Sequence, residues 1–313
     1  MGACRQEVVI KPEPIVPLYK GVAAYAGEDS VARAAFLHKD SVALSAMLRY
    51  MMPEGDAAAQ TERLSESDAV LIFTPAVDSV FPRIEPLEKT LGHILHRAKA
   101  DSLDLPGRTY AAVVWGKTKS IVNVDMPHDS VMLIALNHYL GADYPGYSHW
   151  PVYMRASKTP RHLPYDIVEA LVVSRYPYPE RPGQTVLSRM VYEGVLALAK
   201  IELVPDGNIS EALGYTESEL QWLGENETKI WNMIVERDIL YDTSLTMAEA
   251  LVAPSPYVSV LGHGVPGRVG RYIGYRIVRA YMKQNTRTCL RDMLSPDFYD
   301  NTSVLVEAAY SGQ

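Results

Sequence analysis

The chain has 313 residues, 48% hydrophobic and 21% charged, enough apolar matter for one large core or two smaller ones. Its formal net charge of -7 and the absence of a Lys/Arg-rich stripe leave no basic footprint, so nucleic acid is not an expected partner. No apolar run approaches the roughly 20 residues that span a bilayer, and the two cysteines, Cys4 and Cys289, lie at opposite ends and make no disulfide or metal framework by spacing.

Met1-Gly2-Ala3-Cys4 has the form of the last positions of a bacterial lipoprotein signal, small residues before a cysteine that becomes lipidated, without the charged and apolar regions that would precede it. Pro12, Pro14 and Pro17 space out a polar segment suited to a tether, so residues 1–20 read as a lipoprotein tether and 21–313 as a single domain. From Asp29 to about Met52, Val31, Ala34, Leu37, Leu44, Met47 and Leu48 recur at helical spacing with Asp29 or Ser30 as cap, predicting one or two helices that end at Pro53. Glu54 to Glu66 is polar and reads as a loop. After Pro86, Leu87, Leu91, Ile94, Leu95 and Ala98 form a helix face that stops at Leu103 to Gly107.

The middle changes character. Short apolar, partly β-branched runs at Thr109–Trp115, Ser120–Asp125 and Val131–Leu136 predict a small mixed or largely antiparallel sheet over about residues 109–136. Tyr- and Pro-rich loop sequence from His138 to Pro164 follows. Helices are then expected at Pro164 to Arg175, Thr185 to Leu203, Thr216 to Tyr241 (broken or continuous) and Arg268 to Lys283. Helices, strands, then helices is an α+β plan, the layout of zincin-type metallopeptidases among others.

Within the second of these segments, over Leu187 to Leu203, the pair Glu193-Gly194 is out of place by propensity. Gly costs about 1 kcal/mol against Ala in a helix interior, so Gly194 suggests close passage of another chain segment, and Glu193, at the edge of an apolar face, needs a partner. A zincin requires His-Glu-x-x-His, two imidazoles one turn apart on Zn²⁺ with the Glu activating water. None of the eight histidines has that spacing; His93 and His96 read as a helix face. With the histidines lost, Val168-Glu169-Ala170-Leu171-Val172 keeps the Glu, and Glu193-Gly194 lies 24 residues downstream on the next helix. Two carboxylates are too few and too hard for Zn²⁺, so neither a metal nor another cofactor is expected.

Further motifs add detail. Gly262-His-Gly-Val-Pro-Gly267 is literally G-x-G-x-x-G before a helix with Arg268 and Arg271, but no βαβ unit surrounds it, which favours a tight loop over a nucleotide site. Trp222, Asn226-Glu227 and Trp231 repeat on one helix face and read as a core face with an internal hydrogen bond; Trp222 or Tyr215, if exposed, would anchor a partner. Tyr outnumbers Phe by 20 to four, which suits a wide, wet groove. Ser-Val follows Asp29, Asp40, Asp78 and Asp129, a pattern compatible with glycosylation and equally with helix capping.

Leu136-Asn-His-Tyr-Leu-Gly-Ala-Asp-Tyr, Val191-Tyr-Glu-Gly, Leu213-Gly-Tyr-Thr-Glu with Trp222, Asn226-Glu227 and Ile230-Trp231, Leu240-Tyr241, and Pro266-Gly-Arg-Val-Gly-Arg-Tyr-Ile-Gly-Tyr-Arg-Ile-Val-Arg-Ala-Tyr-Met occur in one order along the chain. In these motifs the sequence resembles the GldB-like gliding-motility lipoprotein family of Bacteroidetes, itself distantly similar to predicted Zn-dependent proteases of the domain-of-unknown-function 2268 type. The resemblance implies a mostly helical, zincin-like fold that has lost its metal. It implies a vestigial cleft at Val168, Glu169, Val172, Tyr192, Glu193 and Gly194, with Arg268, Tyr275, Trp222 and Glu227 as candidate binding residues and no catalytic residue. The expected protein is a non-catalytic envelope lipoprotein anchored at Cys4, facing the outer membrane or periplasm. It would bind motility or secretion proteins, or an extended peptide or glycan. The competing expectation is an active hydrolase using Glu169 and Glu193, or a metal held by dispersed histidines such as His138, His149 and His162.

Overall fold

The computed structural model describes residues 10–51, 54–105, 107–115, 124–128, 130–262 and 264–313, with 124–128 described through the backbone alone. The lipidation expected at Cys4 and the Asp129 motif lie outside the described residues. The amino-terminal part is strand β1 (Ile15–Val16) followed by helices α1 (Leu18–Ala24), α2 (Ser30–Lys39), α3 (Ser41–Met51), α4 (Ala57–Ser65), α5 (Asp68–Val80) and α6 (Glu85–Ala100). Strands β2 (Thr109–Val113), β3 (Val124–His128) and β4 (Val131–Ala135) come next. Short α7 (Val152–Arg155) leads into α8 (Leu163–Arg175), α9 (Val186–Leu203), α10 (Ile209–Leu213), α11 (Glu217–Glu236), α12 (Leu245–Val252) and α13 (Val269–Gln284). Three single turns, α14 (Leu290–Met293), α15 (Pro296–Tyr299) and α16 (Val304–Glu307), end the chain. The fold is α+β. Among the described residues no helix is long and apolar enough to cross a membrane.

The sheet order is β1-β2-β4-β3, with β1, β2 and β4 parallel and only β3 antiparallel to its neighbour β4. This corrects the largely antiparallel sheet expected from sequence. The physical reason is legible in β2 and β4 themselves: Tyr110–Val113 and Val131–Ala135 are buried on both faces, as parallel strands covered on two sides are, where a half-exposed antiparallel strand would alternate. One face, with Tyr110, Ala112, Met132 and Ile134, joins the large core under α6, α8, α9 and α13. The other, with Ala111, Val113, Trp115, Leu133 and Ala135, packs on α1 and α3.

Residues 15–20, placed in the tether by sequence, belong to this body: Ile15 pairs with Tyr110, and Leu18 is buried. The expected loop at Glu54 to Glu66 is also corrected. Asp56 caps α4 by accepting from the Ala59 amide, and the buried side of α4 carries Gln60 and Thr61 beside Leu64, so its inner face looked polar. Thr61 satisfies itself by donating to the Ala57 carbonyl at 2.6 Å. The segment from Asp29 divides at Asp40 into α2 and α3. The break in the helix after Thr216 falls at Arg237 and Asp238, where Asp238 adopts φ 55°.

Candidate functional site

Helix α9 is the centre of the molecule. Thr185 caps it by accepting from the Ser188 amide, and its residues from Val186 to Lys200 are almost continuously buried. It crosses α13 with backbone against backbone. A Cβ on Gly194 would stand 2.2 Å from the Gly274 carbonyl carbon, and one on Gly274 would stand 1.7 Å from the Met190 oxygen. Only glycine fits at either position, which is the close passage that Gly194 signalled in the sequence.

The crossing brings the charges of three helices together. Glu193, 4% exposed, takes Arg189 of its own helix at 3.0 Å and Arg271 of α13 at 3.2 Å. Arg189 also reaches Glu249 of α12 at 3.6 Å, and Arg271 donates to the Val252 carbonyl at 2.9 Å. On α8, Glu169 is paired with Lys200 of α9, whose ammonium also donates to the Ala212 carbonyl. Burial alone would raise the Glu169 carboxyl, but Lys200 and then Arg271 outweigh it and hold the group below the usual carboxylate range. One turn earlier, Asp166 accepts from the Tyr139 hydroxyl at 2.7 Å and faces His162 at 3.3 Å; the other ring nitrogen of His162 lies 3.3 Å from Glu211. Burial works against the charge on both partners, and their mutual attraction wins, raising His162 and lowering Asp166.

The residues expected to line a vestigial cleft are mostly in the interior, with Glu169 keeping 32% of its side chain exposed. Val168 and Val172 are 1% and 0% exposed in the core. Tyr192 is buried, donates its hydroxyl to the Tyr176 carbonyl at 2.7 Å and packs against Tyr178 and Tyr299. Against its burial, Glu193 and then Glu169 keep the Arg271 guanidinium charged. Tyr275 is buried, whereas Trp222 and Glu227 sit apart on α11. There Glu227 accepts from Tyr272 at 2.8 Å and Tyr310 at 2.9 Å and pairs with Arg276 at 3.2 Å, while Asn226 donates to the Trp222 carbonyl. That group is a packed face with internal hydrogen bonds.

The dispersed histidines are not brought to one point. His138 and His149 flank Trp150, and burial followed by the nearby Lys158 pushes His138 down to about 3, leaving it neutral. His162 belongs to the carboxylate cluster above. Among the described residues no group of three or more His, Cys, Asp or Glu side chains is arranged to hold a metal ion.

Sequence reasoning missed Arg189, Lys200 and Arg271, the cations that answer the two carboxylates. Arg189 precedes Glu193 by one helical turn and could have been found by its spacing. Arg271 is far away in sequence and carried no such signal. Arg268, in contrast to the buried candidates, lines a cavity. It stands at the start of α13 with φ 62°, donates to the Gly214 carbonyl at 2.6 Å, and borders a space of about 460 Å³ with Val152, Tyr153, Tyr215, Glu219 and Pro256.

No curated protein and no solved structure matches the chain. The model of one family, described as gliding motility protein GldB, matches residues 15–312, from the first strand to the end of the folded body, and the chain belongs to that family.

Proposed function

We propose that this chain is a lipid-anchored cell-envelope component of gliding motility or protein secretion that binds a partner and catalyses nothing, on a body derived from a zincin-like fold. Family membership supports the motility connection and the envelope location. The observation that carries the non-catalytic reading is the internal neutralisation of both carboxylates: Lys200 occupies Glu169, and Arg189 with Arg271 occupies Glu193. A general base must reach a substrate or water, and a metal ligand must turn its lone pairs to the ion; Glu193, with 5% of its side chain exposed and a cation on each oxygen, does neither, and Glu169, though 32% exposed, is matched by Lys200. Val168 and Val172, at the positions where His-Glu-x-x-His would place imidazoles, contribute packing alone. We place the anchor at Cys4.

The test uses the purified chain, saturated with Zn²⁺ and then desalted. Elemental analysis is expected to find no stoichiometric zinc, and an unfolded protein substrate such as casein is expected to stay intact. One retained zinc per chain, or turnover abolished by Glu169→Gln, would overturn the reading and restore the hydrolase. In cells, Cys4→Ala is expected to move the protein from the membrane to the soluble fraction.

A further inference from the structure

The cavity beside Arg268 is distinct from the buried ion pairs. At about 460 Å³ it falls within the roughly 300–1,000 Å³ of small-molecule sites. Pro151, Val152, Ala156 and Pro256 give it apolar walls, and Val152 and Ala156 are exposed, so it opens to solvent. Most of its polar side chains are already committed. Tyr215 donates to the Gly267 carbonyl at 2.7 Å, Ser255 donates to the Tyr257 carbonyl at 3.2 Å, and the Thr216 amide and hydroxyl both bond one oxygen of Glu219 at 2.8 Å.

Arg268 is the exception. Among the described residues no carboxylate lies within ion-pair distance of it, and its one hydrogen bond goes to a carbonyl. Burial and then the neighbouring Arg271 disfavour its charge and outweigh the support of Tyr215, Glu169 and Asp166. A guanidinium in that situation, with further N–H donors to offer, is completed by a planar anion that it can grip with two parallel bonds. Glu219 also lines the cavity and adds a negative charge there, which favours a monoanion over a dianion such as phosphate.

We propose that this cavity binds the carboxylate end of a small, mostly apolar molecule, with Arg268 as the partner of the carboxylate. Two sources share that chemistry, the C-terminus of an apolar peptide and a fatty acid. Tyr153, whose hydroxyl has no bond among the described residues, offers a further donor at the carboxylate. The inference rests on the body being a binding module, and it names what one of its sites takes.

Isothermal titration of the whole chain tests it with four probes: octanoate, N-acetyl-leucyl-leucine, the amide of that dipeptide, and inorganic phosphate. One or both carboxylates are expected to bind one to one with Kd below about 1 mM, and the one that binds identifies the source. The amide and phosphate are expected to bind at least about tenfold more weakly, the loss of one charge-assisted contact. Arg268→Gln is expected to lose the carboxylate preference. Because that change also removes the bond to Gly214, Ala156→Trp provides a second variant, which fills the cavity from its exposed wall and is expected to abolish binding with Arg268 intact. Equal binding of acid and amide, phosphate binding as tight as carboxylate, or no binding by any probe overturns the proposal. Such a result in a protein that holds no zinc retires this cavity alone, whereas retained zinc retires the functional reading whatever the cavity binds.

Discussion

Where α9 crosses α13, the two backbones touch at Gly194 and Gly274, and Glu193 is drawn in with Arg189 and Arg271. At the amino-terminal end, α2 buries none of its residues and rests on its neighbours through Phe36, whose ring fills the space over Gly21, and through the pair Arg33–Glu62 at 3.0 Å. Both regions are helical and both carry ion pairs. In the first the helices are fixed by the absence of side chains at the contact, so each charge has a set position and a defined partner. In the second the helix is held by the half-buried Phe36 and Leu37 and by the contacts of Arg33, and most of its surface is free to change. A site of fixed geometry belongs to the first kind of region, whether or not chemistry still happens there.

The largest effect is expected at the crossing. Gly274→Ala puts a methyl where the Met190 carbonyl oxygen already stands, and backbone on both sides cannot yield. The cost should exceed about 4 kcal/mol, beyond ordinary overpacking, and urea unfolding should show a chain largely unfolded at room temperature. Gly224→Ala on α11, where an added Cβ meets nothing nearer than a hydroxyl at 4.0 Å, should instead stabilise by about 0.4–1 kcal/mol. Equal effects at the two glycines would refute the backbone contact.

Next comes Glu193→Ala. Removing one member of a buried ion pair costs about 3–5 kcal/mol, and because Arg189 and Arg271 keep about a fifth of their side-chain surface the lower end applies. A loss below about 1 kcal/mol by denaturant titration would mean that the carboxylate is held for binding, as a cleft residue would be. Glu227→Gln should cost less, about 1–3 kcal/mol, since the amide keeps one acceptor for Tyr272 or Tyr310 and sets a donor against the other.

The cluster of His162, Asp166 and Glu211 gives a pH signature. His162 is raised in the folded state, so its contribution is fully present below its unfolded value near 6.5 and is lost as pH rises through the folded value. Asp166, Glu169 and Glu211 are lowered, so theirs is present above about pH 4 and lost as pH falls. Stability should therefore decline on both sides of a weakly acidic maximum, and His162→Gln should flatten the alkaline side. An alkaline limb unchanged in that variant would remove His162 as its origin.

These regions also differ in how far the sequence disclosed them. Gly194 announced a close approach because a glycine inside an apolar helical run weakens the helix, a cost that tight packing against another backbone offsets. Helices α8, α9 and α13 were expected close to their observed bounds, although of the three α9 alone has a side-chain cap, at Thr185. Their charge partners did not follow. Arg271 answers Glu193 only once α13 is laid across α9, and Tyr310 answers Glu227 from 83 positions away. Helix α4 was hidden because Gln60 and Thr61 face inward, and burial cannot be inferred from side chains that hydrogen-bond locally. Strand direction was hidden because β1, only two residues long, gave no periodicity, while the uninterrupted apolar runs of β2 and β4 were the available sign of a parallel sheet.

The smallest effect is expected on α2. Val31 is 77% exposed in the first turn of a helix capped by Asp29, which accepts from the Val31 and Ala32 amides at 2.9 Å each. Val31→Asp removes little packing, and a carboxylate in the first turn meets the positive end of the helix dipole, a gain of about 0.3–1 kcal/mol. Against this stands repulsion from Asp29, so the net change should stay within about 0.5 kcal/mol. Thermal unfolding would detect a departure. A loss above about 1 kcal/mol would show that Val31 is covered by something in solution, and the loosely held region would then be an interface in its own right, with the exposed Leu71 and Ile72 of α5 the next positions to change.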